Sequence, residues 1–281
     1  MSLRWIVLAL IGLVNLPPAI VRAQTQGAYL GSLTWPEAVE RLEAAPLVII
    51  PFGAGAKEHG PHLPMNADQK VMEYLCLQAV DSLPVLVAPP VLHGWFPAFR
   101  EFPGTEVADP DVFRQYVLEV AQSLVRHGAR RIVFLNTGIS RATGLPLSIV
   151  AREIHAQTGT PTLVVSWDDL ETPELEALQD QLAGGHADEL ETSVNLYLQP
   201  DLVRMERAVA DYARAAAQDY SGYRPGHFAR DPDHPEFSAT GLFGDPTLAS
   251  AEKGKRVLDI MTRRWIAALR GFSAAQLPAD R

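Results

Sequence analysis

The sequence predicts an α/β domain built on a mostly parallel sheet with helices on both faces. Three observations predict it. Short β-branched runs alternate along the chain with longer stretches of helical periodicity, the pattern of successive strand–helix–strand units. The chain is long enough for one domain with a sizeable core. It carries no internal repeat, no low-complexity segment and no clear linker that would divide it.

The elements follow in order. Leu47-Val48-Ile49-Ile50-Pro51 reads as a buried strand, followed by a Gly-rich loop and a helix over about Gln69–Asp81. Val85–Ala88 is a second strand, stopped by Pro89 and Pro90. A loop carrying Trp95, Phe96, Phe99 and Phe102 leads to a helix over about Pro110–His127, amphipathic through Phe113, Val117, Val120 and Leu124. Arg131–Leu135 and Thr162–Val165 are the third and fourth strands, with Leu145–Ala156 helical between them. Ser221–Phe237, rich in Pro, Gly, Asp and His, is a long loop suited to a lid or an oligomer contact. The closing helix, about Leu248–Leu269, turns Val257, Ile260, Met261, Trp265 and Ile266 toward the core. In such sheets ligands bind beyond the carboxyl ends of the strands.

Residues 1–23 read as a secretory signal peptide. Arg4 precedes the apolar run Trp5–Leu16, Pro17 and Pro18 break it, and Val21-Arg22-Ala23 places small residues at the −3 and −1 positions of a cleavage site. The expected folded domain is therefore 24–281, periplasmic or secreted, with an uncleaved N-terminal anchor as the rival reading; no later segment is long and apolar enough to span a bilayer. The formal charge of −9, without a basic cluster, argues against nucleic acid or an anionic membrane surface as partner. The single Cys76 has no internal disulfide partner and sits in an apolar helical pattern, where it is expected to be a buried small hydrophobe.

Two segments carry candidate chemistry. The loop after the first strand, Gly53 to Asp68, holds Glu58, His59, His62 and Asp68 between prolines and glycines that restrict its shape. Carboxylate and imidazole are what Zn²⁺ or Mn²⁺ takes in a hydrolytic site, since they leave room for water. Taken singly, Asp68 reads better as an N-cap and His62 as a structural histidine; together the cluster favours a site. The second segment, Gly184 to Ser193, sets His186 before Asp188, Glu189 and Glu191, and the chain then turns apolar. Acids in a first helical turn also suit the macrodipole, so a structural role stands beside the functional one. Trp167 at the end of the fourth strand and Arg141 after the third are weaker candidates for lining a small-substrate pocket, with His62 and Asp188.

These segments resemble the creatininase (creatinine amidohydrolase) family. Its patterns P-x-G-S-x-E-Q-H-G-P-H-L-P-x-x-x-D, F-P-G-T and G-H-A-G-E-x-E-T-S have counterparts in Pro51–Asp68, Phe102–Thr105 and Gly185–Ser193, with a closing motif at Gly244–Ala249 and Ala251–Gly254. The resemblance spans nearly the whole mature chain. It implies a creatininase-like three-layer α/β/α fold, often hexameric, with one or two divalent ions, Zn or Mn. It further implies hydrolysis of an amide or related C–N bond in a small polar molecule. By position His59 and Asp68 match metal ligands, Asp68 the bridging one; His186 matches the histidine acting near the scissile bond, and Glu191 the acid of the E-T-S end.

The chain also departs from the family. Lys57 stands where the family has its Glu two before the His, with Glu58 adjacent as a displaced ligand. Asn136-Thr137-Gly138-Ile139-Ser140 replaces N-G-H-G-G-N, so Gly138 stands at a metal-binding histidine. The family's histidine before F-P-G-T is missing, His93 lying several residues upstream. His62, Asp188 and Glu189 are the substitute ligands at hand, and the Lys57 ammonium is a candidate to replace a second cation's charge and stabilise an oxyanion. The expected ligand set is Glu58, His59, Asp68 and Glu191, with His186, Glu191 and Lys57 as the catalytic groups. The alternative is a catalytically silent binding or assembly protein that keeps the fold.

Overall fold

The computed structural model describes residues 27–45, 47–138, 140–212, 228–234 and 237–276, apart from the side chains of residues 140 and 141. The expected signal segment and most of the loop 221–237 lie outside these residues.

Five parallel strands form one sheet: β1 (Ala28–Tyr29), β2 (Val48–Phe52), β3 (Leu86–Val87), β4 (Ile132–Asn136) and β5 (Thr162–Ser166), in the order β1-β3-β2-β4-β5. The principal helices are α1 (Trp35–Ala44), α2 (Ala67–Ser82), α3 (Pro110–Arg126) and α4 (Ser140–Thr158). The short α5 (Trp167–Leu170) and α6 (Pro173–Glu176) follow, then α7 (Glu189–Leu198) and α8 (Ala251–Ala274). Among the described residues no helix is long and apolar enough to cross a membrane.

Strand side chains alternate between the two faces, as a period of two requires. Leu47, Ile49, Val133, Leu135 and Val165 pack with α2, α7 and α8, where Trp265 and Met261 are fully buried. Val48, Ile50, Phe52, Ile132 and Phe134 face the other way, onto Phe113 and Val117 of α3 and Leu147, Val150 and Ile154 of α4. Cys76 is buried in the first of these clusters, and burial pushes its thiol up to about 12, so it packs as an apolar group.

The strand order places the functional region. The chain leaves β2 toward β3 on one side and enters β4 on the other, so the connections after β2 and β4 part over opposite faces. This switch point opens a crevice at the carboxyl ends of the two strands. The loop from Gly53 to Asn66 and the turn Thr137–Gly138 flank it. Thr137 binds them together: its N–H donates to Phe52 O at 3.0 Å and its hydroxyl to Asp68 O at 2.9 Å.

Candidate active site

Four pieces of chain meet at the crevice. The first is the loop after β2, held at its base by Lys57 N–H donating to Met65 O at 3.0 Å. The second is the F-P-G-T turn, whose Thr105 hydroxyl accepts from Glu58 N–H at 3.0 Å. The third is the segment His186–Asp188 leading into α7, and the fourth the aromatic pair Phe99 and Phe228.

Lys57, His59 and Asp68 form one group. Lys57 is 2% exposed, and its Nζ lies 2.7 Å from Asp68 Oδ2 and within 6 Å of the Phe96 and Phe99 rings, at 5.8 and 5.6 Å from their centroids. His59 Nε2 is 3.1 Å from the other Asp68 oxygen, Oδ1. Burial alone would raise the Asp68 carboxyl. The Lys57 ammonium and then His59 outweigh it, holding the group well below the usual carboxylate range. Asp68 occupies the first turn of α2, behind an Asn66 N-cap, so it is not itself the cap.

Glu58, His186 and Glu191 form the second group. Glu58 pairs with His186: its Oε2 lies 3.1 Å from His186 Nε2, and its Oε1 accepts from Gly60 N–H. Burial opposes its ionisation, but the bond and charge of His186 prevail and its carboxyl is lowered. Gly241, at a φ of +74°, backs this carboxylate so closely that a Cβ there would lie 2.5 Å from it. His186 Nε2 also lies 3.0 Å from Glu58 O; since both neighbours only accept, Nε2 carries a hydrogen. Its Nδ1 faces Glu191 Oε2 at 3.8 Å, and the same oxygen accepts from Ala187 N–H at 2.6 Å. Ala187 reaches that position with a φ of 50°, a left-handed conformation costly for a residue with a Cβ. The His186 ring stacks on Phe99, centroids 4.0 Å apart, and its centroid is 5.2 Å from that of His59, so the two groups adjoin.

The expected ligands therefore do not converge on one point. His59 and Asp68 pair; Glu58 and Glu191 sit on either side of His186. Among the described residues no three His, Cys, Asp or Glu side chains share a metal-holding position. Lys57, rather than Glu58, takes the place facing Asp68.

Of the weaker candidates, His62 is buried behind the site, its Nε2 2.7 Å from Thr192 Oγ1, and burial lowers its imidazole to about 4, so it stays neutral. Asp188 is the N-cap of α7, accepting from Leu190 and Glu191 N–H; burial and Glu191 raise its carboxyl. Trp167, half-buried, packs against the core of α2 and α8. Arg141 lies in the first turn of α4, its side chain outside what is described. His93 pairs at the surface with Glu106 at 2.8 Å. Sequence reasoning missed Phe99, Phe228, Thr105 and Thr192 as parts of the site; of these, Thr105 and Thr192 were marked by the motifs that contain them.

Of the expected ligands only His59 and Asp68 meet, so a divalent ion at the site would be held by these two side chains. His59 Nδ1 lies 2.9 Å from Lys57 O, a group that only accepts, so Nδ1 carries its hydrogen and Nε2 is directed at an ionised Asp68 oxygen. Nε2 thus faces the carboxylate while Nδ1 is tied to a backbone oxygen, the arrangement of a histidine that holds a metal through Nε2. At Oδ2, by contrast, the neighbour is an ammonium.

Comparison with known proteins agrees with this architecture. The family profile for creatininase (creatinine amidohydrolase) matches residues 31–269. The chain is 29% identical over 254 residues to a creatinine amidohydrolase of Pseudomonas putida, covering 84% of this chain and 94% of that one. It is 28% identical to a 3-dehydro-scyllo-inosose hydrolase of Thermotoga maritima (90% and 87% covered) and 30% identical to a mycofactocin precursor peptide peptidase of Mycobacterium tuberculosis (77% and 82%). Among solved structures it resembles a manganese form of creatininase, with a TM-score of 0.72 at 26% identity over 89% of this chain and all of that one. A creatininase variant in a Zn–Zn form matches with a TM-score of 0.70 at 26% identity and the same coverage. With its parallel sheet, its loop after β2 and its His186–Glu191 segment, the chain belongs to the creatininase (creatinine amidohydrolase) family of hydrolases.

Proposed function

We propose that this protein is an exported hydrolase that cleaves an amide or related C–N bond in a small polar molecule, working as a homo-oligomer outside the cytoplasm. The reading rests on one observation above all: His186 lies between the carboxylates of Glu58 and Glu191, beside a second group in which His59 and Asp68 pair and Lys57 supplies a buried positive charge. The relatives are named for creatinine, for 3-dehydro-scyllo-inosose and for a precursor peptide, so the shared element is hydrolysis and the substrate is this chain's own.

When bound, a divalent ion at His59 and Asp68 supplies Lewis-acid activation of water and of the scissile group. The remaining work falls to side chains. Glu58 accepts from His186 Nε2–H and fixes the ring; Glu191 faces Nδ1, so the imidazole can hold a proton between two acids and pass it to the departing nitrogen. The Lys57 ammonium offers a preorganised positive charge to an oxygen that becomes negative in the transition state. Phe99 and Phe228, stacked 5.0 Å apart beside His186, keep water from the ring and strengthen these interactions.

A panel of small cyclic and linear amides, read for amine release and new carboxylate by mass spectrometry, tests the proposal. Turnover of at least one compound is expected, falling by about 10²–10⁴-fold in His186→Ala. Folded protein that turns over none of the panel, or His186→Ala at full activity, would overturn it. A second reading, a silent binding protein, is favoured by the failure of Glu58, His59, Asp68 and Glu191 to meet at one point. Its signature is thermal stabilisation by a panel compound that is recovered unchanged.

A further inference from the structure

We infer that Lys57 is the resident cation of this site: its ammonium stands where a second divalent ion would otherwise bridge Asp68, and the protein holds at most one ion. The inference deepens the functional reading above and rests on the same site.

Three observations carry it. Lys57 Nζ is 2.7 Å from Asp68 Oδ2, with the side chains 2% and 7% exposed, so solvent does not separate or screen the pair. The rings of Phe96 and Phe99 lie 5.8 and 5.6 Å from the ammonium; they attract a cation and supply no metal donor. Gly138 completes the arrangement. A Cβ built there would lie 3.7 Å from the same Asp68 oxygen and 3.2 Å from Phe96 Cε1. A longer donor side chain at 138 would start within reach of Oδ2 and against the Phe96 ring.

The two sequence departures thus fall on one atom. Lys57 replaces the family's Glu and Gly138 its His, and both positions face Asp68 Oδ2. The charges balance as well. A divalent ion with one carboxylate and one neutral imidazole carries a net charge of +1 toward Asp68, and a lysine with a glycine carries the same. Replacing the ion by the ammonium leaves the electrostatic demand of Asp68 met while removing both donors that would hold the ion. The oxygen left for a metal is Oδ1, on the His59 side.

Metal stoichiometry tests this without reference to turnover. The mature protein, stripped of metal and dialysed, is titrated with Zn²⁺ by calorimetry, and bound metal is counted by plasma mass spectrometry. No more than one equivalent is expected in the wild type. The double variant Lys57→Glu with Gly138→His is expected to take up one further equivalent, at least 100-fold tighter than any second binding by the wild type, since each restored donor contributes about 10-fold or more. Should the double variant not fold, Lys57→Gln removes the charge alone and is expected to tighten second-ion binding at least tenfold. Two tightly bound equivalents in the wild type, or a folded double variant with no gain, would overturn the inference. An inactive wild type with at most one ion and a gain in the double variant would leave it standing and fail only the functional reading.

Discussion

Lys253→Met should cost this protein about 3–5 kcal/mol, although the residue lies outside the site. Glu189 at the start of α7 is fully buried, and Lys253 on α8 is its ion-pair partner. Removing one member of a buried pair leaves the other charged and uncompensated, which costs about 3–5 kcal/mol. Glu189 keeps two backbone donors, Asp180 and Gln181 N–H at 2.8 Å each, and these place the loss toward the lower figure. The Lys253 contact to Asp180 at 2.9 Å adds little because that carboxylate is 75% exposed. Helix propensity is not at issue, since Met and Lys are near equals. For a domain of this size a loss of about 3 kcal/mol lowers the melting temperature by roughly 6–12 °C. Urea denaturation and calorimetry of the wild type, Lys253→Met, Glu189→Gln and the double variant give a complete cycle. The double variant should recover part of the loss because no unpaired charge remains. A loss below about 1 kcal/mol in Lys253→Met, or losses that simply add in the double variant, would refute the reasoning.

Two further outcomes are expected. His62, with its imidazole lowered to about 4 by burial, contributes stability that is fully present above pH 6.5 and lost as pH falls toward 4, because the unfolded chain then binds the proton that the folded one refuses. The effect is about 2–3 kcal/mol; urea midpoints at pH 7.5 and 4.5 should fall less in His62→Gln than in the wild type, and equal falls would count against the assignment. Gly254→Ala should destabilise by about 2–3 kcal/mol despite alanine's better helix propensity, because a Cβ there lands on the Ser193 carbonyl and drives α8 off α7. A melting temperature equal to or above the wild type's would contradict it.

The sheet was legible because its strands are short apolar runs with helical periodicity between them, and each predicted strand lies within two residues of the observed one. β1 was not, being two residues long and held by its neighbour β3. α1 was missed despite a capping box, Thr34 with Glu37, and Pro36 in its first turn; it buries only Leu42 and leaves Trp35 exposed. In the site, motif spacing located His59, Asp68, His186 and Glu191, but side-chain direction was not readable. Glu58 and Lys57 are adjacent, and only the backbone path decides which of them faces Asp68. Phe99 and Phe228, 129 positions apart, meet over His186 through tertiary packing that no local pattern records.

The division of Asp68 between two neighbours also constrains how such a site changes over generations. With Lys57→Glu alone, two buried carboxylates face each other with no cation; with Gly138→His alone, an imidazole meets the Phe96 ring and an ammonium already in place. Either single step leaves a buried charge unmatched or a packed ring displaced, at about 3–5 kcal/mol for the charge. That is a large share of the 5–15 kcal/mol that typically separates folded from unfolded protein. Positions 57 and 138 are thus expected to be inherited as a pair, and a lineage moves between the two forms of the site by way of compensating changes elsewhere in its fold.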